Sequence, residues 1–365
     1  MKIAIDISQV IYGTGVSVYT KNLVDNLLKI DHENEYILFA GSLRRRGDVL
    51  SMYPSAKVFP IPPTLADLLW NRLHKFPIEK LIGQIDVFHT SDWAEPPSSA
   101  FKVTTVHDLA PFLYPNLFPR DIIRNIVDVH RHKLSWVREE TKRIIVPTLA
   151  TKKDLVSLDF KEEMIRVIPE SIPSNFKKIE KEEITKVLRK HKIFGDYVLS
   201  VGVDPRKNTE SIVKAFEHSS AGRDLKMVLV GSPKYMNIKD ARNVRILGKV
   251  ETDDLIALYS GASALIYPSL YEGFGLPILE AMACGCPVVT SNISSMAEVA
   301  GDAAALVDPY KIDSIVDGID KVLRGPKSYI EKGLKRVQDF SWEKTAKMTL
   351  DVYREASNAG KGAGK

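Results

Sequence analysis

The chain has 365 residues, 44% apolar and 27% charged, an ordinary mixture for a folded protein and too long for one typical core. Its net charge of +5 is spread as 22 basic against 21 acidic residues in positions 1–175 and 29 against 25 beyond, so neither half carries a nucleic-acid footprint. The two cysteines, Cys284 and Cys286, exclude a disulfide framework and supply too few ligands for a metal centre; they read as small buried residues in a reducing compartment.

Ile3, Ile5 and Ile7 alternate as a strand, without the apolar core of a signal peptide. No run approaches the roughly 18 apolar residues of a membrane span, so a cytoplasmic protein is expected. Gly13-Thr-Gly15 follows, then a helix with Val16, Tyr19, Leu23, Leu27 and Ile30 on one face. The glycine pair by itself reads as a tight turn, because Val18 occupies the place of a third glycine in a dinucleotide fingerprint. Tyr36–Ala40, Ile85–Thr90, Val103–His107, Ile144–Pro147 and Ile165–Pro169 are short apolar runs that suit buried parallel strands, with helical segments between. Phe59–Leu81, with Arg44-Arg45-Arg46 before it, reads as a helix packed on the sheet with a solvated charged face; peripheral contact with anionic lipid is the other reading. His107 and Asp108 end a strand, where a histidine satisfied by a neighbouring carboxylate is the plain interpretation. His130 and His132 stand two apart on a helix and face different ways, so they do not pair as metal ligands.

Pro169–Asn175, with two prolines and no periodicity, is the expected linker. A second series then runs Tyr197–Val201, Lys226–Val230, Val244–Ile246, Ala264–Tyr267, Pro287–Thr290 and Ala304–Val307, with helices such as Thr209–Phe216 and Thr252–Tyr259 between. The expected architecture is α/β: two doubly wound, Rossmann-like parallel-sheet domains, 1–172 and 173–338, facing a cleft. A final helix, 339–356, has Ser341 as its N-cap but no capping box, since Lys344 stands where an acid or amide would. Residues 357–365 read as a flexible tail.

The strongest local signal is Tyr267-Pro-Ser-Leu-Tyr-Glu-Gly-Phe-Gly-Leu-Pro-Ile-Leu-Glu-Ala-Met-Ala-Cys-Gly285. A strand runs into a loop at Gly273 and Gly275, where backbone can approach a ligand closely. Pro277 suits the first position of a helix and Gly285 its stop. Free amides and a positive dipole end make an anion site there, and a diphosphate fits it. Glu272 and Glu280 flank it as acceptors for hydroxyls, as on a sugar and a ribose. An isolated Glu280 would be simple dipole complementarity; the order of glycine, proline and glutamate over the whole string is too specific for that. The second signal is Val201-Gly-Val-Asp-Pro-Arg-Lys-Asn208, where a strand runs through Gly202 into two cations at its carboxyl edge. Arg206 and Lys207 alone would be solvated surface charges; at that place they can neutralise a diphosphate leaving group.

These two strings resemble the signature of glycosyltransferase family 4, and the resemblance covers nearly the whole chain. It implies the GT-B fold, with residues 1–172 on the acceptor side and 173–338 binding the nucleotide-sugar, retention of anomeric configuration, no metal and no cofactor. Glu272 would meet donor-sugar hydroxyls and Glu280 the ribose. The amides of Gly273, Phe274, Gly275 and Leu276 would meet sugar and diphosphate, and Arg206 and Lys207 would grip the diphosphate, with Gly202 beside them. Gly15 would face the donor phosphate. His107, in His-Asp-Leu, would lie near the sugar's outer hydroxyls, oriented by Asp108. Glu272, His107, Arg206 and Lys207 are the expected catalytic set. Pro169-Glu-Ser-Ile departs from the Pro-Asn-Gly of many relatives. The final helix would cross back to the first domain. The implied reaction moves a hexose, mannose from GDP-mannose in the first instance, onto a glycan or polyprenyl-linked acceptor in surface-polysaccharide assembly. UDP-sugar donors stay open. A GT-B phosphorylase, a nucleotide-sugar epimerase and a non-catalytic nucleotide-sugar-binding partner are the alternatives.

Overall fold

The computed structural model describes residues 1–91, 93–118, 120–233 and 243–362. The chain forms two compact units. The first comprises Met1–Leu113, Arg120–Glu170 and the chain from Trp342 onward; the second comprises Ser171–Ser341 and the short stretch from Tyr114. The chain thus changes unit between Glu170 and Ser171, rather than after residue 172.

The first unit is built on seven parallel strands: β1 (Lys2–Asp6), β2 (Glu35–Gly41), β3 (Lys57–Phe59), β4 (Val87–Ser91), β5 (Phe101–Thr105), β6 (Arg143–Val146) and β7 (Ile165–Val167). Their spatial order is β3-β2-β1-β4-β5-β6-β7, with Ile3 opposite Tyr36 on one side and Val87 on the other. The second unit carries β8 (Tyr197–Val201), β9 (Lys226–Val230), β10 (Val244–Ile246), β11 (Ala264–Tyr267), β12 (Val288–Ser291) and β13 (Ala305–Val307) in the order β10-β9-β8-β11-β12-β13. Parallel neighbours require crossovers, and helices cover the sheet faces, so the strands are buried on both sides. Each order reverses once, between β1 and β4 and between β8 and β11. Such reversals leave a crevice outside the carboxyl ends of the two strands, where open α/β sheets bind ligands.

The expected strands are present with ends displaced by a residue or two, while β3, only three residues long, was not foreseen. His107 lies two residues beyond the end of β5, not on it. The first helix (Gly15–Ile30) begins at Gly15 itself, closed by a capping box in which Thr14 and Ser17 bond reciprocally. Phe59–Leu81 is not one helix. It contains a short helix, Pro63–Ala66, and a π-helical turn, Asp67–Arg72, with Trp70 buried and Leu65, Leu68 and Leu73 exposed. The terminal helix runs Trp342–Gly362, so helix replaces most of the expected tail.

Candidate active site

Two loops at the β8/β11 reversal are stitched together. After β8, Gly202 adopts φ +88°, and a Cβ there would come within 2.8 Å of the Lys207 side chain. Glycine is required both by the backbone and by the stem packed over it. The Asp204 carboxylate accepts the Lys207 N–H (3.0 Å) and closes a 3₁₀ turn, Pro205–Lys207. Asn208 takes a left-handed conformation (φ 62°), and its amide donates to the carbonyls of Pro268 (3.3 Å) and Pro309 (2.7 Å). The Leu270 N–H donates to the Arg206 carbonyl at 2.9 Å.

The stitching brings Arg206, Lys207 and Glu272 together. Lys207 Nζ donates to Glu272 Oε1 at 2.6 Å and Arg206 Nη1 to Glu272 Oε2 at 3.1 Å. Lys207 also donates to the Tyr267 hydroxyl, and the Ser295 hydroxyl holds the Glu272 carbonyl at 2.7 Å. Burial, the largest influence on Glu272, pushes its carboxyl up, but Lys207 and Arg206 outweigh it and hold the group below the usual carboxylate range. Burial pushes the Lys207 ammonium down, and Glu272 offsets this only in part. Arg206 and Lys207 thus converge on one carboxylate in a largely buried corner, where charge interactions are strong.

Beside it stands the helix Leu276–Ala283. Gly275, at φ +101°, is its N-cap, and no side chain caps it. Among the described residues, no acceptor takes the N–H of Phe274, Gly275 or Leu276. Pro277 occupies the second helical position rather than the first. The helix closes in a Schellman motif: Gly285, at φ +70°, bonds back to Met282 (3.0 Å) and Cys286 to Ala281 (2.9 Å). Phe274 buries its ring against Phe340, so only its backbone remains for a ligand. Glu280 accepts the Tyr259 hydroxyl at 2.9 Å; burial raises its carboxyl to about 7, with small opposing pulls from that bond and from Lys207.

All the expected site residues except Gly15 and His107 belong to the second unit. Gly15 opens the first helix, and a Cβ there would meet nothing within 4 Å. His107 places Nε2 3.1 Å from Ser91 Oγ and Nδ1 3.0 Å from Glu170 Oε1, with its ring edge-on to Tyr19. Its orienter is therefore Glu170 and not Asp108, whose carboxylate accepts the Ala110 N–H instead. Glu170, Asp204, Tyr259, Tyr267 and Ser295 were not singled out from the sequence. Glu170 was visible only as the departure from Pro-Asn-Gly.

Comparison with known proteins follows the same division. The profile described as Glycosyltransferase Family 4 matches residues 13–176, and that of Glycosyl transferases group 1 matches residues 181–336. The O-antigen chain mannosyltransferase B of Escherichia coli is 31% identical over 73% of this chain and 74% of its own length. The chain belongs to glycosyltransferase family 4. The serotype-specific mannosyltransferase WbdA of Escherichia coli is 28% identical over 69% of this glycosyltransferase, which spans only 33% of that relative's length. Among solved structures, sucrose-phosphate synthase from Thermosynechococcus elongatus shares the fold with a TM-score of 0.75, at 18% identity over 98% of this chain and 100% of that one. The glycosyltransferase is thus of GT-B architecture. Among its described residues no helix is long and apolar enough to cross a membrane, and no cluster of three or more His, Cys, Asp or Glu could hold a metal ion.

Proposed function

We propose that the second unit binds the diphosphate and sugar of a nucleotide-sugar, GDP-mannose first, and that the enzyme passes the sugar in the cytoplasm to a glycan or lipid-linked acceptor with retention of configuration. The observation that carries this is the Arg206–Glu272–Lys207 cluster, set at the β8/β11 reversal beside the uncapped amides of Phe274–Leu276. Arg206, Lys207 and those amides stabilise charge growing on the departing diphosphate, the work a metal does elsewhere; losing one such donor costs roughly 10²–10³ in rate. Glu272, held ionised, accepts the donor sugar's hydroxyls, and Glu280 accepts those of the ribose. With no separate protein base in this cluster, a donor phosphate oxygen takes the proton of the attacking hydroxyl. The mannosyltransferase names of the relatives support mannose as the sugar.

Calorimetry with GDP and UDP, in chelator, tests the reading. Saturable, metal-independent binding is expected, GDP the tighter. Glu272→Gln is expected to keep the fold and the nucleotide affinity within severalfold while transfer from GDP-mannose drops at least a hundredfold. Absence of any nucleotide binding, or near-normal turnover in folded Glu272→Gln, overturns it.

A further inference from the structure

Lys207 is fixed along its whole length. The Asp204 carboxylate holds its N–H, its stem lies over Gly202, and only the ammonium is left to meet a ligand. That ammonium has three protons to place. Glu272 Oε1 takes one at 2.6 Å, and the Tyr267 hydroxyl takes another. Among the described residues no other acceptor takes the third.

Tyr267 is the last residue of β11 and is fully buried, and the Thr290 hydroxyl fixes its carbonyl at 2.9 Å. Burial, and then Glu272, hold the phenol well above its ordinary range, so it stays neutral. Its oxygen accepts from Lys207, and Nζ stands 4.8 Å from the ring centroid; oxygen and ring both favour the charged amine. Burial works against that charge and lowers Lys207. Glu272 opposes the burial, but in the donor reading the sugar hydroxyls share Glu272 as an acceptor. The phenol, enclosed by the core, is the partner of Nζ that a ligand does not compete for. The other charged or titratable groups around the pair are Arg206 and Asp204 on the first loop, Glu280 on the helix Leu276–Ala283, and Tyr259, which donates to Glu280.

We propose that Tyr267 is a positioning residue for the donor: its hydroxyl keeps the Lys207 amine charged and leaves the third N–H for the diphosphate. The inference rests on the donor reading and adds a residue that acts on the ligand only through Lys207. Removing the hydroxyl takes away an acceptor that serves the ammonium and not the neutral amine. Lys207 then gives up its proton at a lower pH, and the diphosphate loses a cation there.

GDP calorimetry on the full chain in chelator compares the parent with Tyr267→Phe, which keeps the ring, from pH 6.5 to pH 9. The nucleotide and Glu280 titrate in both proteins, so the ratio of the two affinities is read. The affinities are expected to agree within about threefold at pH 6.5, with the variant about tenfold weaker or more at pH 9, since a hydrogen bond to a charged group shifts a proton equilibrium by about that factor. Thr290→Val, which frees the Tyr267 carbonyl and keeps the phenol, is expected to lower the melting temperature while its ratio to the parent stays flat with pH. Tyr267→Met, with the same tilt expected, serves if Tyr267→Phe does not fold. An equal tilt in Thr290→Val overturns the proposal. GDP binding by the parent with a flat ratio in the folded Tyr267 variant sinks this inference alone, and no GDP binding by the parent sinks the donor reading and this inference together.

Discussion

Glu280 shows how a single buried carboxyl links the site to stability. Folded, it titrates near 7; unfolded, near the ordinary 4.5. Between those values the native state holds the extra proton, so stability falls as pH rises from 4.5 to 7 and stays lower above. Glutamine keeps an acceptor for the Tyr259 hydroxyl without the charge. Glu280→Gln is therefore expected to be more stable than the parent by about 1–3 kcal/mol at pH 8, with the gain gone at pH 4, in urea titrations at both pH values. Its affinity for GDP should fall at the same time, because a neutral amide is a weaker partner for ribose hydroxyls. The residues legible in the sequence were those inside contiguous strings: Arg206, Lys207, Glu272, Glu280 and the glycines around them. The partners that tune them lie far away along the chain. Glu170 meets His107 across 63 positions and Tyr267 meets Lys207 across 60, and no local pattern records either pairing.

The terminal helix completes one core of the first unit. Trp342, Ala346, Leu350 and Tyr353 recur at helical spacing and are buried with Tyr19, Leu23 and Leu27 of the first helix. Midway along it Tyr353 reaches His89, whose Nδ1 lies 2.5 Å from the hydroxyl and whose Nε2 lies 2.8 Å from Thr105 Oγ1. Burial drives His89 down to about 3, so it stays neutral. The unfolded chain takes up that proton below about 6.5, and this contribution is lost as pH falls toward 3. Tyr353→Phe leaves a buried ring nitrogen without its partner and is expected to cost about 1–3 kcal/mol; Tyr353→Ala is expected to cost about 3–5 kcal/mol, both by urea denaturation. An unchanged midpoint in Tyr353→Phe would show the bond to be idle. The apolar periodicity made this helix readable. The π-helical turn at Asp67–Arg72 was not, because it depends on bonds from Asn71 to Trp93 and Glu95, more than twenty residues on.

For the molecule as a whole, each unit is a parallel sheet with one reversal of strand order, and chemistry-bearing side chains stand at both reversals. That architecture was legible because alternating apolar runs and helical stripes admit few arrangements. Which strands neighbour each other was not, since pairing order follows from crossovers rather than from any single segment. GDP at about a hundred times its dissociation constant is expected to stabilise the fold by about 2.7 kcal/mol. Hydrogen exchange should slow most at Gly202–Asn208 and Gly273–Leu276; unchanged exchange at both stretches would move the nucleotide elsewhere. The chain order of the terminal helix carries a last consequence. A ribosome makes the strands of the first unit early, yet Trp342 and Tyr353 emerge only after the entire second unit has been translated. Until then the nascent first unit presents an open apolar stripe over Tyr19, Leu23 and Leu27, and the later-made unit can finish folding ahead of the earlier one.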